Sequence, residues 1–356
     1  MHQRREEAIE QRQNPAIMAS KEVHRIKKQN KFLKETTPKQ QQQQQQRLPV
    51  LANKTKVVDI GVNLTHKSFK SNWKRVVQRS IERGVDTIIL TGTSLKSSQQ
   101  CLQMAQEWYD DKKVANLYFT VGVHPHEAKT WKTCSRVKDT SGGDGNEGKG
   151  HTCSTSSMTE KMREMLQHPL AVAVGECGLD YNRNFSSKPD QKRAFRAQLK
   201  LALELNMPLF LHEREAHQDF IHIIDEQLRE EQELRGGGED EDVSLPLSLP
   251  PAVVHCFTGV KEEALCYIRR GYFLGFTGTI CKEERGRALR EILPELPLDK
   301  LMVETDAPFM GFKGRKSSEP ADCMDVARKL GEVIKVPFST VCKTTTVNAM
   351  ECFGIE

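Results

Sequence analysis

Ala171-Val172-Ala173-Val174-Gly175-Glu176, a stretch of helical period over 190 to 205, and Pro208-Leu209-Phe210-Leu211-His212 make one strand-helix-strand unit. Each apolar run ends on a side chain able to do chemistry, Glu176 in the first and His212 in the second. Working outward, the same alternation recurs along the chain. Further strands read Val57-Val58-Asp59-Ile60, Thr87-Ile88-Ile89-Leu90, Leu117-Tyr118-Phe119-Thr120-Val121, Ala252-Val253-Val254, Tyr272-Phe273-Leu274-Gly275-Phe276 and Leu301-Met302-Val303-Glu304. Between them, charged and apolar residues interleave with helical spacing over 71 to 83, 96 to 110, 214 to 229, 261 to 270 and 285 to 293. Eight short strands joined by helices predict a parallel α/β sheet closed on itself, a single (β/α)8 (TIM) barrel.

The placement of polar residues supports closure. Asn63 follows the first strand, His124 and His126 the third, Glu176 the fourth, His212 the fifth, His255 the sixth, Thr277 the seventh and Asp306 the eighth. A scatter of histidines and acids would not choose the same strand end so often, whereas the catalytic rim of a barrel requires it. An open doubly wound sheet would carry a Gly-rich phosphate turn after its first strand, and Gly61-Val62-Asn63 is no such turn.

Of the 356 residues, 37% are hydrophobic, a low share that points to polar segments diluting a folded core. Residues 1 to 50 include the run Gln40 to Gln46 and read as a disordered extension, with the barrel over 56 to 356. Segments of about 133 to 157 and 229 to 250, rich in Gly, Ser and acids, read as two low-complexity loop insertions. The formal net charge is +5, but the first 47 residues hold eleven Lys/Arg and five Asp/Glu, a balance of +6, so the remainder is near neutral. Overall basicity therefore does not mark the barrel as a polyanion binder. Ten cysteines without a Cys-x-x-Cys pair fit free thiols in a reducing compartment, and no apolar stretch approaches a membrane span. The cytosol is the expected location for such thiols, with access to the nucleus, and a monomer is the expected state.

Two imidazoles, His212 and His255, and two carboxylates, Glu176 and Asp306, converge on one mouth in a barrel and suit a hard or borderline divalent ion. Such an ion lowers the pKa of water toward neutrality, and Asp306, just past the last strand, is placed to act also as general base. Glu176 and Asp306 are the catalytic candidates. Glu304, at the same strand parity as Asp306, is expected inward beneath it, orienting a ligand or forming a buried structural pair. His124 and His126 are candidates for metal or phosphate contact, the alternative being a turn cap. Arg183, Arg214 and Lys282, with Lys313, Arg315 and Lys316, are candidates for phosphate contacts from rim loops, the alternative being solvated loops. Cys177 and Cys256 adjoin ligands, but strand alternation aims them at the helices, so a Cys/His nucleophile pair is the weaker chemistry.

With these residues in hand, the chain resembles TatD-type deoxyribonucleases from about Val57 to Ile355. The matching segments are Asp59-Ile60-Gly61-Val62-Asn63-Leu64-Thr65, Gly122-Val123-His124-Pro125-His126, Gly175-Glu176-Cys177-Gly178-Leu179-Asp180-Tyr181-Asn182-Arg183, Pro208-Leu209-Phe210-Leu211-His212, His255-Cys256-Phe257-Thr258-Gly259 and Glu304-Thr305-Asp306-Ala307-Pro308. The resemblance implies a metal-dependent hydrolase of the amidohydrolase-like barrel group that cleaves DNA, often as a 3′-5′ exonuclease. It implies magnesium, or manganese or zinc, held by Glu176, His212, His255 and Asp306. Many members carry His-x-His on the first strand, where this chain has Gly61 and Asn63, so one or two ions are expected. An Arg-Asn-x-Pro segment usual beyond Pro308 is replaced by Ser317-Ser318-Glu319-Pro320, which leaves its phosphate contact to Arg315 or Lys316.

Two other classes share these residues. A small-molecule amidohydrolase or esterase uses the same barrel and ligands, because fold does not set substrate. A non-catalytic interaction protein would keep the barrel and bind no ion.

Overall fold

Every position of the first strand, Val57–Val62, is buried, as a run with both faces covered requires. A computed structural model describes residues 56–112, 116–131, 155–235, 248–312 and 314–355. Eight strands, β1 (Val57–Val62), β2 (Val85–Leu90), β3 (Leu117–Val121), β4 (Ala171–Asp180), β5 (Leu209–Arg214), β6 (Ala252–Val254), β7 (Phe273–Phe276) and β8 (Leu301–Val303), pair in that order. All seven successive pairings are parallel. The barrel closes just beyond β8, where Val62 bridges Ala307, the Asn63 amide donates to Ala307 O at 2.7 Å and the Asp306 amide to Gly61 O at 2.9 Å. The expected (β/α)8 barrel is the fold.

The helices between and after the strands are α1 (Trp73–Arg83), α2 (Leu95–Lys112), α3 (Thr155–Leu166), α4 (Lys188–Leu205), α5 (His217–Arg235), α6 (Lys261–Arg269), α7 (Arg287–Ile292), α8 (Cys323–Ile334) and α9 (Phe338–Phe353). The helix α4 shows how the sequence sets them. Ser187 caps its N-terminus by accepting from the Asp190 amide, Pro189 sits in the first turn, and Asn206 ends it in the left-handed region. Its buried residues, among them Gln191, Ala194, Phe195, Gln198, Leu199 and Ala202, recur at three- and four-residue spacing against the barrel.

Two features differ from the sequence reading. Strands β4 and β5 run on to Asp180 and Arg214, paired as Gly178 with His212 and Asp180 with Arg214 after a register shift between Gly175 and Cys177. Glu176 and His212 therefore lie inside strands rather than after them, because the polar residues that suggested strand ends line the mouth. Helix α3 begins at Thr155, within the segment expected as a loop, and α5 continues to Arg235. Residues 1–55, 113–115, 132–154, 236–247, Lys313 and Glu356 lie outside the described residues, and with them the whole expected extension and most of the two insertions.

The seam between β1 and the end of β8 is pinned by Asp59, a fully buried carboxylate. Its Oδ1 accepts from the Thr305 amide at 2.9 Å and its Oδ2 from the Thr305 hydroxyl at 2.6 Å. Burial pushes the Asp59 carboxyl well above its ordinary range, with the Thr305 hydrogen bonds opposing. Removing the carboxylate would leave two buried donors of Thr305 unpaired. Asp59→Ala is expected to cost about 2–4 kcal/mol of stability, at roughly 1–3 kcal/mol per orphaned buried group, read from the urea midpoint at unchanged m-value.

Candidate active site and metal centre

The mouth is organised around one oxygen. Glu176 Oε1, buried on β4, lies 2.8 Å from His212 Nδ1 on β5, 2.7 Å from His255 Nε2 after β6 and 3.2 Å from His124 Nε2 after β3. Burial alone would raise the Glu176 carboxyl, but the surrounding imidazoles of His124, His255 and His212 hold it well below the ordinary range. It is an anion in a dry site. His124 behaves oppositely: burial pushes its imidazole down to about 4 despite Glu176, so it is neutral at physiological pH. Its Nδ1 accepts from the His126 amide at 3.0 Å, which places its proton on Nε2, facing Glu176.

Four of the sequence candidates thus meet, and a fifth stands beside them. Ligand atoms of His124, Glu176 and His212 lie within 4.8 Å of one another, close enough to hold a metal ion among them. His255 joins through its contact with Glu176. Asp306, left-handed at φ 52°, accepts from Asn63 Nδ2 at 2.8 Å through Oδ1 and feels the charges of His255, Glu176 and Glu304. His126 Nε2 donates to Asp180 Oδ2 at 2.9 Å, and its ring packs edge-on to His124 with centroids 4.3 Å apart. Glu304 is fully buried below the mouth, its Oε2 3.3 Å from His255 Nδ1 and its Oε1 accepting from the Cys256 amide at 2.5 Å.

Whether the donors suit a cation is tested by His212. Its Nδ1 is satisfied by Glu176, but its buried Nε2 has no hydrogen bond, since Asp180 Oδ2, at 3.5 Å, is beyond a good one. A buried ring nitrogen with a free lone pair, among neutral and anionic donors, is what a divalent ion requires. The cluster fits one.

Several residues here escaped the sequence reading. Asp180, two alternations beyond Glu176 on the extended β4, bonds His126 and accepts from the Asn182 and Arg183 amides at 3.0 and 2.8 Å. Burial would raise its carboxyl, and His126, His212 and the Arg183 amide bring it far down. Gln191 and Gln198, seven residues apart on the buried face of α4, clamp the backbone at both sides of the site. Gln191 Oε1 accepts from the Asp180 amide at 2.8 Å and its Nε2 donates to Asp180 O at 3.0 Å. Gln198 treats Val123, the neighbour of His124, likewise at 2.7 and 3.1 Å. The available signal was two glutamines within an apolar helical stripe.

Two expectations need correction. Cys177 is buried as expected, but Cys256 adopts φ 46° and turns toward Asp306 and Thr277, where burial and the charges of Asp306 and Glu304 push its thiol well up against the opposing Thr277 hydrogen bond. It is a protonated thiol at the mouth rather than a core residue. Arg315 pairs with Asp322 at 2.5 Å instead of waiting for phosphate. Arg183 and Arg214 stand on rim segments after β4 and at the end of β5, neither paired with an acid among the described residues. Thr277 Oγ1 donates to Thr279 Oγ1 at 3.0 Å at the rim after β7.

A family model described as TatD related DNase matches residues 58–354. This chain belongs to the TatD DNase family. The protein named 3'-5' ssDNA/RNA exonuclease TatD from Escherichia coli K12 is 34% identical over 303 residues, covering 83% of this chain and 98% of its own length. The protein of that name from Enterobacter lignolyticus is 40% identical over 303 residues, with the same two coverages of 83% and 98%. Among solved structures, an uncharacterized amidohydrolase from Saccharomyces cerevisiae superposes with a TM-score of 0.67 at 23% identity, over 84% of this chain and 100% of its own. A TatD homologue from Escherichia coli K12 gives 0.66 at 24% identity, over 85% and 99%. These two likenesses speak to the barrel alone.

At the first strand, Gly61 leaves room for an acid. A Cβ on Gly61 would lie 2.3 Å from Glu304 Oε2, and one on Gly275 would lie 2.3 Å from Glu304 Oε1. Gly61→Ala and Gly275→Ala must displace the carboxylate that props His255, and each is expected to weaken Mn2+ binding by about 10–100-fold, read by calorimetry.

Protonation competes with any cation here. Burial, reinforced by Glu176 and Glu304, pushes the Asp306 carboxyl up to about 7, and His255 is held well above its ordinary value because Glu176 and Glu304 outweigh burial. Both groups carry protons below neutrality that an ion must displace. Apparent Mn2+ affinity should therefore rise with pH through about 7 and fall below it, with proton release detected in buffers of different ionisation enthalpy.

Proposed function

We infer that this chain is a metal-dependent deoxyribonuclease that shortens DNA from the 3′ end by hydrolysing phosphodiester bonds. The observation that carries the reading is the buried Glu176-centred histidine cluster at the mouth of a barrel that is 34–40% identical, over 303 residues, to proteins named 3'-5' ssDNA/RNA exonuclease TatD. Glu176, His212, His255 and Asp306 would hold the divalent ion, with His124 contributing the donor nearest Glu176. Magnesium is the favoured ion, with manganese and zinc alternatives for a mixed nitrogen and oxygen set. When bound, the ion supplies Lewis-acid polarisation of the phosphoryl group and neutralisation of its charge.

The chain's own residues do the rest. Asn63 holds one oxygen of Asp306 by a 2.8 Å hydrogen bond, which leaves the other to take the proton of the attacking water. A carboxyl pushed up to about 7 is matched to that task near neutral pH. Glu304 fixes the imidazole of His255 from behind, and Asp180 does the same for His126. Arg183 and Arg214 on the rim serve the phosphates. The shared barrel is the only support for an amidohydrolase or esterase reading. All eight described cysteines are free thiols, which supports the reducing cytosol as compartment. Among the described residues no helix is long and apolar enough to cross a membrane.

The test is a 5′-labelled single-stranded DNA incubated with purified protein and Mg2+, Mn2+ or Zn2+. A ladder shortening from the 3′ end is expected, blocked by a 3′-terminal phosphorothioate. Asp306→Asn should lower kcat by roughly 10²–10⁴-fold, the usual share of a general base, and Glu176→Gln should abolish both ion binding and cleavage. Intact DNA with all three ions would overturn the assignment.

A further inference from the structure

Five large apolar side chains are exposed among the described residues: Phe185, Leu234, Val260, Phe309 and Val347. Only Phe185 and Phe309 are aromatic, and both stand at the mouth. Leu234 and Val347 lie on the outer helices α5 and α9. Phe185, 60% exposed, follows β4 in the loop that carries Arg183, and its amide donates to Arg183 O at 2.9 Å. Phe309, 48% exposed, follows β8 three residues after Asp306, its amide donating to Asp306 O at 2.9 Å. Each ring is seated against a histidine on one side. Phe185 meets His126 with centroids 4.7 Å apart at 78°, and Phe309 meets His66 at 5.5 Å and 68°.

The positions are related by topology. In a closed barrel of eight strands in sequential order, the ends of β4 and β8 are four strands apart, so the two rings stand on opposite sides of the opening. The chain from Phe185 to Glu176 is short: His126 packs edge-on to His124, which lies 3.2 Å from Glu176 Oε1. On the other side, His66 follows Asn63, whose amide group bonds Asp306. An exposed ring on each side of the Glu176 and Asp306 centre matches the order of a nucleotide chain, in which every phosphate lies between two bases.

We propose that Phe185 and Phe309 are stacking platforms for the two bases flanking the scissile phosphate of a single-stranded nucleic acid end. The proposal rests on the nuclease reading and adds to it the residues that select unpaired substrate. Every base presents a π-face, so stacking on a phenyl ring is indifferent to sequence. A base held in a duplex keeps its neighbours on both faces and must be unstacked first, at a cost of a few kcal/mol. Two platforms on opposite sides of the mouth accept the splayed bases of a free strand and penalise a paired end. Arg183, beside Phe185, would meet the backbone phosphate of the same nucleotide.

The experiment compares wild type with Phe185→Ala, Phe309→Ala and the corresponding Trp variants on single-stranded and blunt duplex DNA. Kd is measured on a 3′-phosphorothioate oligonucleotide that resists cleavage, and Mn2+ affinity and thermal midpoint serve as the fold control. Each Ala variant is expected to raise KM and Kd for single strands by roughly five- to hundredfold, with kcat within about twofold. The Trp variants retain tight binding, and the preference for single over double strands shrinks in both Ala variants. Abasic substitution supplies the decisive readout. The loss in Phe185→Ala vanishes when the base on one side of the terminal phosphodiester is removed, and that in Phe309→Ala vanishes for the base on the other side. Single-strand Kd values unchanged in both Ala variants, or losses that persist on both abasic oligonucleotides, overturn the proposal. A wild-type chain that cleaves no DNA defeats the nuclease reading itself, a result separate from cleavage that ignores both rings.

Discussion

One buried carboxylate oxygen governs this molecule. Glu176 Oε1 lies within 3.2 Å of three imidazole nitrogens drawn from segments after or within β3, β5 and β6. An unpaired anion in that setting would be strongly unfavourable, so the position of each histidine follows from the need to satisfy it. The surrounding structure then serves those histidines. Glu304 supports His255, the two buried glutamines of α4 hold the backbone beside His124 and Asp180, and Asp59 ties Thr305 between Glu304 and Asp306.

The same enclosure drives the two outer carboxylates apart. Glu176, ringed by imidazoles, stays ionised, whereas Asp306, facing Glu176 and Glu304 with a single amide donor, is pushed up to about 7. Two acids of similar intrinsic strength thereby acquire different proton affinities, and the proposed roles of permanent charge and proton acceptor rest on that difference. Among the described residues, four of the six non-glycine residues with positive φ, Glu215, Cys256, Asp306 and Met310, belong to the segments around this mouth, while Asn206 and Lys335 end helices. Backbone strain concentrated there is consistent with side chains aimed for chemistry rather than for packing.

Attraction for a polyanion is correspondingly local. With +6 of the net +5 carried by the first 47 residues, the remaining chain balances at −1. Long-range steering by a basic body is therefore weak. On the proposed reading, recognition falls to individual groups at the rim: the guanidinium groups of Arg183 and Arg214, an ion bound by the cluster, and the two exposed rings.

The repeated strand and helix pattern, and the return of a polar residue at one end of each strand, determined the barrel and which side of it carries chemistry. Local alternation is enough for that, because a parallel strand buried on both faces cannot hide such residues except at its rim. The convergence of Glu176, His212 and His255 at one mouth and the inward placement of Glu304 were legible for this reason, as was the family through six ordered segments. Other features required tertiary structure. The extended pairing of β4 with β5, which makes Asp180 part of the site, depends on a register that only the partner strand sets. The inward turn of Cys256 depends on a left-handed backbone, and the withdrawal of Arg315 depends on Asp322, brought to it by the fold. His124 could be weighed only as a candidate, because its closeness to Glu176 is a distance between β3 and β4 that residue spacing along the chain does not encode.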